Sequence, residues 1–125
     1  MFVGVLQFEL VINQSHSLKD KRRVVRSVKD KLHREHQVAV AEVAALDSLN
    51  LAVMGLAAVS NSGAYINQLF DRIVAKLART PGAQLGACQR DVFKGDQLPG
   101  EATTDEGAPL WDDSDRRDAD EETTR

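Results

Sequence analysis

The chain has few of the residues that most often announce a chemistry. Among 125 residues there is one cysteine, Cys88, so no intramolecular disulfide can form, and that usage suits a reducing compartment. It reads as a small apolar filler in a predicted strand. Of the three histidines, His33 and His36 are three positions apart on one predicted helix, but no cysteine or third histidine is placed to complete a metal site. Their ordinary use is to decorate a helix C-terminus, where positive charge is favourable. The apolar start, MFVGVLQFELVI, contains Gln7 and Glu9 and has no basic residues before it, which excludes a good signal peptide. It is also shorter than the roughly 20 apolar residues that span a bilayer. The expectation is a soluble, cytoplasmic protein with no membrane partner, no cofactor and no metal.

Charge is plentiful and divided unevenly. Residues 1–94 hold 13 Lys and Arg against 8 Asp and Glu, a net of +5, whereas residues 95–125 hold 3 against 11, a net of −8. The second segment has no hydrophobic periodicity and is rich in Gly, Thr and Asp, the composition of an acidic disordered tail. Leu110 and Trp111 are its one apolar point, either a stray pair or a docking motif. The first segment is therefore the predicted domain, residues 1–94.

Periodicity supplies its elements. Phe2, Leu6, Phe8, Leu10 and Ile12 alternate with Val3, Val5, Gln7, Glu9 and Val11, which predicts a strand whose even face meets the core. Ser17 is a natural N-cap, with Asp20 three residues on. Leu18, Val24, Val25, Val28 and Leu32 then form a helical stripe about 120° wide. Lys21 falls on that apolar side in the first turn, where its stem is expected to carry the ammonium out to water. Residues 37–45 and 49–59 read as strands joined by a turn at Asp47 and Ser48; neither alternates cleanly, which predicts burial on both faces. Ile66, Leu69, Phe70, Ile73, Val74 and Leu77 recur at helical spacing, Pro81 and Gly82 end that helix, and residues 83–93 form a last strand.

The order strand, helix, strand, strand, helix, strand predicts an α+β, ferredoxin-like split βαβ sandwich (βαββαβ), a four-stranded antiparallel sheet with two helices on one face. The other face would carry Val3, Val5, Val11 and small residues. That is apolar enough to predict a homo-oligomer formed through the open sheet face.

The runs FVGVLQFELVI, SHSLKDKRRVVRSVKDKL and VAVAEVAALDSLNLAVMGLAAVSNS resemble the YlxP-like family of small bacterial domains of unknown function. The resemblance covers residues 1–77, and SLKDKRRVVRS is its most specific part. It implies a ferredoxin-like fold, an oligomer, and genes beside those for ribosome-binding factor A and translation initiation; it implies no catalytic residue. Leu49 stands where an aromatic is expected before the third strand, and the acidic tail exceeds the usual family length.

Function has to be sought in the charge. Residues 15–36 hold eight of the sixteen Lys and Arg. Lys19, Arg22, Arg23, Arg26, Lys29 and Arg34, with His33, fall on one flank of the predicted helix, and Asp30 is the only acid among them. These six are the candidate nucleic-acid-binding residues of a non-enzymatic accessory module, its partner an RNA or a ribosomal particle held by phosphate contacts. The alternative is an oligomeric protein-interaction module with a solvated basic face. The like-charge pairs Lys19/Arg23 and Arg22/Arg26 cost only about 0.2–0.5 kcal/mol each, and pairing of Asp30 with Arg26 and Arg34 would offset part of that.

Two other routes are weaker. Base stacking on the sheet, as in RRM domains, needs aromatics on central strands, but Phe2 and Phe8 belong to the core-facing set and the third strand has none. The loop of residues 13–17 could offer N–H groups to an anion, with His16 and Lys19 beside it, as in acylphosphatases. It lacks the catalytic Arg with supporting Asn of those enzymes.

Overall fold

The computed structural model describes residues 1–95. Phe2–Val11 form β1, α1 runs Leu18–His36, β2 Ala39–Ala44, β3 Leu51–Ser60, α2 Gly63–Leu77 and β4 Gln84–Lys94. All strand pairs are antiparallel and the sheet order is β2-β3-β1-β4. This is the ferredoxin-like α+β arrangement, with β1 central and in register with β3 from Phe2 opposite Ser60 to Val11 opposite Leu51.

The even face of β1 packs as its alternation demands. Leu6, Phe8, Leu10 and Ile12 join Val25, Val28 and Leu32 of α1 and Ile66, Leu69, Phe70, Ile73 and Leu77 of α2 in one buried cluster. Both helices therefore cover the same side of the sheet. Each large side chain so buried is worth about 1.5–3 kcal/mol, which makes this cluster the main support of the fold.

The inner strands correct one expectation. β3 alternates cleanly, with Ala52, Met54, Leu56 and Ala58 buried and the residues between them partly exposed, while β2 is a mostly exposed edge. Burial on both faces does not occur among the described residues. The strand also begins later than expected, at Ala39, because Gln37 takes a left-handed C-cap (φ 51°) and His33 Nδ1 lies 3.1 Å from the Val38 carbonyl. Cys88 is a second correction: it lies exposed on the edge strand β4 and fills no core position. Burial raises its thiol pKa, so it is not an activated nucleophile. Residues 96–125, including Leu110 and Trp111, lie outside the described residues.

Candidate functional site

α1 is anchored at both ends by its own sequence. Ser17 Oγ accepts from the Asp20 N–H at 3.1 Å, and the Asp20 carboxylate accepts from the His16 N–H at 3.2 Å. A carboxylate of the chain thus already sits at the helix N-terminus, which disfavours the anion site considered for residues 13–17. At the other end His33 and His36 turn to different partners. His33 meets the Val38 carbonyl, and His36 Nε2 lies 3.2 Å from Lys76 Nζ of α2. Among the described residues no group of three His, Cys, Asp or Glu is placed to hold a metal.

Lys21 departs from expectation most. It does not reach water: it is 1% exposed, and its ammonium donates to the Ala45 carbonyl at 2.6 Å and lies 2.9 Å from Glu42 Oε2. Glu42 Oε2 gains no well-directed hydrogen bond, so the contact is a charge pair rather than a shaped one. Lys21 fastens α1 to the end of β2 and to the turn beyond it, where Ala45 holds φ 57°. That attachment fixes which side of α1 faces outward.

On the outward side, Lys19, Arg22, Arg23, Arg26 and Arg34, with Ser27 and Asp30, line one shallow depression. Lys29 is the exception among the six predicted residues. It is half-buried and falls toward the core stripe, outside the depression. The expected pairs Arg26/Asp30 and Asp30/Arg34 do not form, and none of the six cations has an ion pair or hydrogen bond among the described residues. The other acids near α1 are engaged elsewhere: Asp20 at the cap, Glu42 by Lys21, and Glu35 by Lys76. The flank therefore keeps nearly its full positive field, which one unpaired carboxylate reduces only slightly.

The contact of Lys76 with Glu35 and His36 joins the two helices and responds to pH. Its hydrogen bond to Lys76 holds the Glu35 carboxyl below the usual range; burial, and then the Lys76 ammonium, hold the His36 imidazole below its usual value. Arg72 adds to the effect on His36 and Glu35 opposes it. Both folded pKa values are depressed, so the unfolded chain takes up protons first as pH falls. Stability should be level above about pH 7 and should fall on acidification from about pH 6.5, the ordinary histidine value, with Glu35 adding loss in the carboxylate range. In urea unfolding at about pH 7.5 and 5.5, His36→Gln should flatten the first part of that fall; an unchanged pH slope would count against His36.

The open face of the sheet carries the second surface. Val3, Val5 and Val11 lie on it as expected, and Val59, Val43 and Phe93 join them, at 66%, 52% and 45% exposure for the last three. Sequence alone does not assign Phe93 to a face, because the charged neighbours of β4 hide its alternation; its register opposite Val3 places it here. Gln7 opposite Gln89, and Asp91 opposite Val5, break the apolar surface. One aromatic on an edge strand is no stacking platform of the RRM kind.

A family model described as "Protein of unknown function (DUF503)" matches residues 3–90. Over 79 residues the chain is 27% identical to the uncharacterized protein YlxP of Bacillus subtilis (strain 168), an alignment that covers 63% of this chain and 86% of that protein. The family match takes in α1 and nearly the whole sheet.

Proposed function

The chain belongs to the DUF503 family of proteins of unknown function, and we propose that it is a non-enzymatic accessory module that binds RNA, free or in ribosomal particles, through the outer flank of α1. The observation that supports this most is the depression lined by five unpaired cations. Guanidinium groups along one helix face suit the spacing of a phosphate backbone and read no base, so affinity should depend strongly on salt and weakly on sequence. No helix of the described residues is long and apolar enough to cross a membrane.

Titrating a labelled hairpin RNA across a salt series tests the reading. The slope of log affinity against log salt should be several units, and changing Arg22, Arg23 and Arg26 together to Ala should reduce it by about 2–3, roughly 0.7–0.9 for each phosphate no longer neutralised. Lys29→Ala should change it less. Absence of binding at low salt, or a slope that the triple variant leaves unchanged, would sink the proposal.

A second reading has its own support in the exposed Val5, Val43, Val59 and Phe93. An apolar face of this kind suits a second copy of the chain. Light scattering should then report a dimer or larger species, and Val5→Glu should shift it to monomer; a wild-type monomer at high concentration would remove this reading and leave the RNA proposal standing.

A further inference from the structure

Among the described residues the basic flank faces only Asp30, one carboxylate against five cations, yet the same chain carries a polyanion. Residues 112–122, DDSDRRDADEE, hold seven acids and two arginines, a net of −5. The outward cations Lys19, Arg22, Arg23, Arg26 and Arg34, less Asp30, carry a net of +4, with half-buried Lys29 beside them. We propose that residues 112–122 dock along the outer flank of α1 in the same molecule and compete there with polyanions. The docking stands on charge and reach alone; only the competition rests on the RNA reading above.

Length permits it. α1 ends at the end of the sheet where β1 begins, since its last turn adjoins Val38 and β2 runs from there with Ala39 opposite Ala57. Gly95 lies at that same end, where its N–H donates to the Met1 carbonyl at 2.8 Å. From the β4 side to the α1 flank the path crosses three strand spacings of about 4.8 Å and rises about 10 Å. The 16 residues between Gly95 and Asp112 can span up to about 55 Å, ample for that path. From Lys19 to Arg34 the flank is about 22 Å long at 1.5 Å per residue. An eleven-residue acidic run, extended, spans up to about 36 Å and can lie along all of it.

Trp111 stands at the head of the run, where its ring can meet an Arg guanidinium face. Tethering makes even weak docking effective. At an effective concentration of about 1 mM, a segment whose untethered Kd is about 0.1 mM weakens RNA binding roughly tenfold.

Trp111 is the only tryptophan, so the full-length protein reports on its own tail. At low salt its fluorescence should be protected from acrylamide. Added NaCl should remove the protection, and so should Arg22→Gln, Arg23→Gln and Arg26→Gln together, whose fold circular dichroism checks. The protection should not depend on protein concentration. Quenching that ignores both salt and the triple variant overturns the docking, and protection that grows with concentration overturns its intramolecular form. In parallel, Asp112→Asn, Asp113→Asn, Asp115→Asn, Asp118→Asn, Asp120→Asn, Glu121→Gln and Glu122→Gln in one chain should tighten hairpin RNA binding about tenfold; unchanged affinity overturns the competition. A Trp111 response without RNA binding would keep the docking and reject the RNA reading, and RNA binding without a Trp111 response would do the reverse.

Discussion

Replacing Lys21 by methionine should cost the fold about 3 kcal/mol, read as a lower urea midpoint at an unchanged denaturant slope. Methionine fills much of the same volume, so packing alone predicts a small loss. The charge predicts a large one. Lys21 is 1% exposed and Glu42 17%, and removing one partner of a buried pair leaves the other charge poorly solvated, at about 3–5 kcal/mol for full burial. The water still reaching Glu42 puts the expectation at the low end of that range. The Ala45 carbonyl loses its donor as well, at a turn whose left-handed alanine costs about 1–2 kcal/mol to hold. Adding Glu42→Met to Lys21→Met should recover part of the loss, because the stranded carboxylate is then gone. A single variant as stable as wild type would show that the ammonium contributes nothing. Strict additivity of the two changes would show that the pair is not coupled.

This side chain also marks the limit of reading the sequence. The helical wheel places Lys21 inside the apolar stripe, and a long stem near a helix end ordinarily runs out to water. What turns it inward is a carboxylate 21 positions away and a carbonyl 24 away, which only the finished fold brings to it. The flank was legible for the opposite reason. Its geometry depends on the 3.6-residue period and on nothing outside α1, so five of the six predicted cations do meet in one depression. Lys29 falls away because the wheel cannot say where half-burial begins. The alternation of β1 was visible because large and polar residues mark its two faces. In β3 the same period is hidden, since Leu and Ala occupy both faces and the Val residues of the open face are as apolar as the Met of the buried one. Missing pairs for Asp30 were equally out of reach, because an exposed carboxylate gains too little from a surface arginine to hold one rotamer.

Gly4→Ala should also destabilise strongly, by about 2–3 kcal/mol in the same assay. A Cβ at this position would overlap Ile66 Cγ2 and stand 2.8 and 2.9 Å from the Phe70 ring. Both neighbours are 0% exposed and held by the core on every side, so neither can withdraw without moving α2 away from β1. Against this stands the gain from removing a strand glycine, only about 0.5–1 kcal/mol, and the clash therefore decides the sign. The cause can be isolated. Ile66→Ala alone opens a cavity and should cost about 2–4 kcal/mol, but it also removes the Cγ2 atom that a Cβ at position 4 would strike. The double variant should thus lose clearly less than the two single losses together. A Gly4→Ala protein as stable as wild type, or additive losses, would mean that α2 does not approach β1 as closely as the structure has it. Because the clash lies between β1 and α2, the damage should fall first on that half of the sandwich. On the RNA reading proposed above, whatever fraction of the Gly4→Ala protein remains folded should keep the wild-type salt slope, since the α1 flank takes no part in the clash.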